Sequence, residues 1–166
     1  LIPHIDLNYR TVDNRSGRAI QGFSQGGRGA TRIAFKYPDL FSSVAAGGGA
    51  YQVEMQIAEN NGVEYDTRRD SPERLDFGVG NDAYSLAKSY ANSGDHSLSI
   101  AFWGGTKGFN YNDILEYMEY LDSLGVNYQS YFVGGIGHNS WLLYHSIGID
   151  LQNFHVSAFE NFAEDS

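Results

Sequence analysis

Between Arg18 and Lys36 the chain reads RAIQGFSQGGRGATRIAFK, a short apolar strand that stops at a serine between glycines and turns at once into a helix. No other stretch constrains the fold as tightly. Ala19, Ile20 and Phe23 supply the strand, and Gly22-Phe23-Ser24-Gln25-Gly26 has the G-x-S-x-G spacing that holds a serine on a strained strand-to-helix turn. In so sharp a turn a side chain two residues before or after the serine would strike neighbouring backbone, so both flanks are expected to require glycine. The pentapeptide alone is a weak signal in a chain with 20 glycines, where an ordinary serine in a glycine-rich turn would look the same. Context carries the reading: a buried strand precedes it, and a helix follows with Ala30, Ile33, Ala34 and Tyr37 expected on one side. The small run Gly26, Gly27, Gly29 and Ala30 would let that helix approach a sheet closely.

The same alternation recurs along the chain. Leu1, Ile5 and Tyr9 are one helical turn apart, so the chain opens in a helix, and 13–17 form a polar turn before the serine strand. Tyr37-Pro38-Asp39 ends the second helix, and 41–46 reads as a strand closing on Gly47-Gly48-Gly49. Residues 51–97 are the least regular part, with turns at Asn60-Asn61-Gly62 and Arg68-Arg69-Asp70-Ser71-Pro72, and are read as an insertion over the sheet edge. Gly78-Val79-Gly80-Asn81-Asp82-Ala83 mimics a dinucleotide-binding glycine pattern, but no buried strand precedes it, so no cofactor is expected. The better reading is a helix capped by Asn81 that runs through Leu86 and Ala87 to Gly94. A strand at 98–103, a glycine loop at 104–108 and a helix carrying Ile114, Met118 and Leu121 follow, the helix closed by Leu124-Gly125. The last strand spans 128–133 and leads into Gly134-Gly135-Ile136-Gly137-His138. A final amphipathic helix begins at Trp141, with Leu151, Phe154, Ala158 and Phe162 on one face and a bend near Gly148. Strand, helix, strand in this order argues an α/β fold with a mostly parallel sheet and flanking helices in one domain over 1–166.

Composition excludes several classes of function. Twenty acidic against eleven basic residues give a formal charge of −9, with no basic stretch to neutralise a phosphate backbone, so neither nucleic acid nor an anionic membrane is an expected partner. Apolar runs are far below bilayer length, and no charged-then-apolar leader is read at the start. The absence of cysteine removes disulfides, thiolate metal sites and thiol nucleophiles together. His4 and His96 lie in polar surroundings, and His145 and His155 flank the last helix without metal-ligand spacing to any carboxylate, so no metal site is expected.

Taken together, Gly-Phe-Ser-Gln-Gly-Gly at 22–27, Lys36-Tyr37-Pro38-Asp39-Leu40-Phe41 after the helix and Gly-Gly-Ile-Gly-His ending at 138 resemble the esterase D and feruloyl esterase branch of the α/β-hydrolases. The resemblance covers most of the chain except 51–97. It implies a Ser-His-acid enzyme that cleaves carboxylic esters, including acyl groups on plant polysaccharides, with Ser24 as nucleophile, His138 as general base and Gln25 N–H as an oxyanion donor. It is also compatible with secretion. Serine first and histidine last is the order of that fold, and a serine hydroxyl attacks only once an imidazole takes its proton.

Two features depart from the family pattern. Gly108 stands where related esterases carry the aspartate of a Gly-Thr-x-Asp loop, so Asp113 is taken as the nearest substitute and Glu54 as a second. Asp113 reads equally well as a first-turn acid favouring the helix dipole. Only about one helix precedes the serine strand, whereas the second oxyanion donor of the family comes from a loop before it. The chain is therefore expected to be the carboxyl-terminal part of a larger hydrolase domain, or a shortened descendant, with an exposed sheet edge open to a homo-oligomer or another partner strand. Trp103 and Trp141, with Tyr111 and Tyr144, are expected to line an acyl or sugar pocket, though aromatics at such positions also serve as core. The alternative is a hydrolase-like binding domain of weak or no activity. Acyl transfer to an acceptor other than water would use the same residues.

Overall fold

The computed structural model describes residues 1–66, 73–94 and 97–164. The expected turn at Arg68-Arg69-Asp70-Ser71-Pro72, and His96, lie outside those residues. Four strands, β1 (Ala19–Phe23), β2 (Ser43–Gly47), β5 (Ser99–Gly105) and β6 (Gln129–Val133), form one parallel sheet in the order β1-β2-β5-β6. The second sheet is a two-stranded antiparallel ribbon, β3 (Val63–Asp66) with β4 (Glu73–Asp76). Helices α2 (Gln25–Lys36), α4 (Ala83–Ser93) and α5 (Tyr111–Ser123) link the parallel strands, α3 (Tyr51–Glu59) precedes the ribbon, α1 (Ile2–Asn8) opens the chain and α6 (Ser140–Glu164) closes it.

Both faces of the sheet are covered, which is why its middle strands read as continuous apolar runs. Period-two alternation sorts them between two cores: Val44, Ala46, Ile100 and Phe102 pack with α2, α4 and α5, whereas Ala45, Ala101 and Trp103 pack with Leu143, Leu151 and Phe154 of α6. Burying a large apolar side chain in such layers contributes about 1.5–3 kcal/mol each. β1 and β6 are the outer strands, and the paired register Gly22 to Ala46 and Phe23 to Gly47 brings the carboxyl ends of β1 and β2 side by side.

The packed side of α2 differs from the expected one. Gly27, Ala30, Thr31, Ala34 and Phe35 face the core, while Ile33 is 44% exposed and Tyr37 also faces solvent. Glycines set this rotation, because a Cβ on Gly27 would collide with the Gly47 carbonyl, so α2 lies with its glycine side against β2. The region 51–97 is more regular than the sequence indicates, since it holds α3, the ribbon and α4. Asp82, not Asn81, caps α4 by accepting from Ser85 N–H at 2.8 Å, and Gly94 ends it at φ 76°. Gly125, at φ 71°, follows α5 as expected. Helix α6 continues unbroken through Gly148. Among the described residues no helix is long and apolar enough to cross a membrane.

A buried ion cluster ties these elements together. The Glu54 carboxylate, fully buried, accepts from Arg28 Nε at 2.8 Å and from Ala83 N–H, at the start of α4, at 2.9 Å, while Arg28 Nη2 reaches Glu64 at 2.7 Å. Replacing Glu54 with Ala should therefore destabilise the fold by about 3–5 kcal/mol in chemical denaturation, because Arg28 keeps its charge but loses its buried partner. Replacing the more exposed Glu64 should cost less.

Candidate active site

The site is assembled from three loops at the carboxyl ends of β1, β5 and β6. Ser24 terminates β1 with its N–H donated to the Gly47 carbonyl at 2.7 Å, and its backbone takes φ 58° and ψ −120°. An L-residue is strained there, and the strain persists only where surrounding packing enforces it. Gly22 permits the turn because a Cβ there would run into the Gly26 carbonyl. Gly26, expected to be needed for the same reason, faces open space, and the close approach behind the serine falls on Gly27 instead. The first helical bond of α2 runs from Arg28 N–H to the Ser24 carbonyl at 3.1 Å, so the Gln25 N–H precedes it at the positive end of the helix.

His138 follows β6 on a loop locked to the β5–α5 loop. Lys107 N–H donates to the Ile136 carbonyl at 2.9 Å and Gly135 N–H to Thr106 Oγ1 at 3.0 Å, while a Cβ on Gly105 would strike the Ile136 carbonyl. The imidazole lies between the rings of Phe23 and Phe109, at centroid distances of 4.5 and 4.6 Å. Its Nε2 is 3.0 Å from Ser24 Oγ, and its Nδ1 is 3.1 Å from Asn110 Oδ1. Burial lowers the imidazole pKa below its ordinary value by disfavouring the charged form.

Ser24 and His138 thus meet as the sequence indicates, 114 residues apart along the chain. The position of the acid does not follow. His138 Nδ1 is met by Asn110, 2% exposed, immediately before α5, and Asp113 makes no hydrogen bond to the ring. In the first turn of α5, the Asp113 charge instead helps raise the pKa of Tyr84, after burial and Glu116. Glu54 is occupied by Arg28 and the start of α4. Sequence reasoning passed over Asn110 because an amide carries no charge and a residue before a helix reads as an ordinary cap.

The aromatic assignments also change. Trp103 is 0% exposed, packed against Phe23 and Tyr144, so it is core and offers a substrate nothing. Trp141 is 82% exposed but does not line the cavity at Ser24. Tyr111 sits edge-on against Phe132, and the Tyr144 hydroxyl accepts from Gln21. The cavity, of about 710 Å³, opens beside Ser24 and is lined by Gln25, Gln56, Asn60, Glu64, Tyr65 and Phe109 among others. His155 bonds Ser43 and Gln21 under α6, and His4 lies within bonding distance of Asn8. Among the described residues no three His, Asp or Glu side chains converge as metal ligands would.

A serine on a strand-to-helix turn, with a histidine from the last strand's loop at its hydroxyl, is the arrangement that the α/β-hydrolase fold builds at the carboxyl ends of its strands. The model of the Esterase family matches residues 1–114, and the chain belongs to that family. Among proteins of known sequence it is 45% identical over 49 residues to Esterase Rv1288 of Mycobacterium tuberculosis, a match covering 30% of this chain and 11% of that protein. Among solved structures it is similar to an S-formylglutathione hydrolase of Staphylococcus aureus, with a TM-score of 0.70 and 19% identity over 92% of this chain and 57% of the other. It is also similar to a ferulic acid esterase, with a TM-score of 0.73 and 22% identity over 95% of this chain and 58% of the other. The chain therefore spans less than three fifths of the length of these relatives.

Titration of His138 by nitrogen-15 NMR should give a midpoint below 6.5, because no hydrogen-bonded carboxylate offsets its burial. A midpoint above 6.5 would show that an acid reaches the ring.

Proposed function

We propose that this chain carries the nucleophile and the base of a serine carboxylesterase, and the observation that carries this reading is the 3.0 Å approach of His138 Nε2 to Ser24 Oγ at a strained turn. Ser24 Oγ attacks the ester carbonyl carbon as His138 Nε2 takes its proton. The carbonyl π electrons move to oxygen, and the Gln25 N–H meets the resulting oxyanion. When the tetrahedral intermediate collapses, the bond to the alcohol oxygen breaks and the imidazolium returns the proton to that oxygen. Water, deprotonated by the same nitrogen, then releases the acid and restores Ser24. On this reading the second oxyanion donor comes from a segment along the other side of β1, which among the described residues pairs as a strand only with β2.

The cavity supports acylated carbohydrates as substrates, with feruloyl or acetyl groups as the acyl part. Gln25, Gln56 and Asn60 present amides to sugar hydroxyls, and Tyr65 and Phe109 present rings to a sugar or aromatic acyl group. The carboxylate-free histidine favours a second reading, a hydrolase-like domain that binds without turning over, and one measurement separates the two. Incubation with a fluorophosphonate should give a single adduct by intact mass, mapped to Ser24, absent in Ser24→Ala and slowed about 10²–10⁴-fold in His138→Ala. No adduct in the wild-type protein would favour the binding domain. Asp113→Asn should label and hydrolyse esters within about two-fold of wild type, because Asp113 does not touch the imidazole; a ten-fold or greater loss would return it to the mechanism.

A further inference from the structure

The chemistry of Asn110 decides how His138 is held. An asparagine side chain has one accepting end and one donating end, and only its partners tell which faces where. Here the Nδ2 end meets the Gly48 carbonyl, which has no proton to give, so the amide must donate there. That leaves Oδ1 facing His138 Nδ1, and two acceptors cannot share a hydrogen bond, so Nδ1 must carry the ring proton. Nε2 is then the bare nitrogen, turned to Ser24 Oγ. Asparagine in place of a triad aspartate costs about 10⁴ where its amide faces the ring and stabilises the wrong tautomer. The Gly48 carbonyl prevents that orientation here.

Gly108 supplies an independent observation. A Cβ built on Gly108 would lie 3.2 Å from Asn110 Oδ1 and 3.1 Å from the Gly105 carbonyl, so a side chain at 108 would point to the spot the amide oxygen occupies. The space is open to Asn110 because residue 108 has no side chain.

We propose that Asn110 is a positioning residue that stands in for the missing triad acid: anchored by the Gly48 carbonyl and admitted by Gly108, it fixes the tautomer of His138 without bringing a negative charge to the ring. This rests on the esterase reading. A carboxylate at 110 would not serve equally well, since its second oxygen would face the Gly48 carbonyl, acceptor against acceptor. The ionisable side chains on the adjoining segments, Arg28 on α2, Lys107 on the β5–α5 loop and Asp113 on α5, make no hydrogen bond to the ring, and Ser24, Asn110 and two phenyl rings surround it.

The test combines NMR of the histidine tautomer with kinetics of Asn110→Ala, Asn110→Asp and the double variant Gly108→Asp/Asn110→Ala. In the wild type the proton should sit on Nδ1, whether or not the protein turns over a model ester. Asn110→Ala should lower kcat by about 10²-fold with KM within two-fold, the signature of a misoriented base. Asn110→Asp, nearly isosteric and able to carry the test if the alanine variant does not fold, should be slower than wild type at neutral pH. The double variant should recover kcat to within about ten-fold of wild type and raise the acidic limb of the pH–rate profile by about one unit, because a carboxylate favours the imidazolium. A proton found on Nε2, an unchanged kcat in Asn110→Ala, or an Asn110→Asp faster than wild type would overturn the proposal. Failure of the wild type to label with fluorophosphonate, with the proton on Nδ1, would count against the esterase reading and leave the Asn110 arrangement standing.

Discussion

At Ser24 the backbone is held at φ 58° by the junction of β1 with α2, and every functional distance in the molecule is measured from that turn. The turn survives because two glycines let backbone pass backbone: Gly22 under the Gly26 carbonyl and Gly27 against Gly47. Larger residues at either place would push α2 away from the sheet and release the serine from its strained position. The same contact carries the Ser24 N–H to Gly47, so the elbow is tied to the neighbouring strand as well as to its own helix.

Parallel topology does the rest of the gathering. With all four strands of the main sheet running the same way, the loops after β1, β2, β5 and β6 open at one end of it, and that end receives Ser24, Gly48, Asn110 and His138. Gly48 illustrates how little space is left there. It has φ 55°, its built Cβ would press on the Phe23 and His138 rings, and its carbonyl is the anchor of Asn110. The ion cluster of Arg28, Glu54 and Glu64 holds the cavity wall on the other side of the serine, joining α2 and α3 to the ribbon and to the start of α4.

Much of this was legible in the sequence. The G-x-S-x-G spacing located the elbow, apolar strand runs alternating with helical repeats located the parallel α/β pattern, and the resemblance to the esterase branch pointed to His138, whose Nε2 lies 3.0 Å from Ser24 Oγ. These features are local or follow from chain order. The packed side of α2 was misjudged because hydrophobicity pointed to Ile33, whereas the close approach of Gly27 to β2 set the rotation. Trp103 reads from the sequence as a pocket residue because a sequence cannot say which face of a strand α6 will cover.

By itself, the sequence determined the strand-to-helix serine and the parallel order of strands, because each depends on backbone conformation or on periodicity that neighbouring residues impose; His138 was legible as the partner of Ser24 through the resemblance to the esterase branch. Tertiary structure alone decided what orients the histidine. Asn110 matters only because the Gly48 carbonyl, 62 residues away in the chain, turns its amide, and because Gly108 leaves the space empty. Which end of an amide faces an imidazole is settled by a through-space partner, and no spacing along the chain records it.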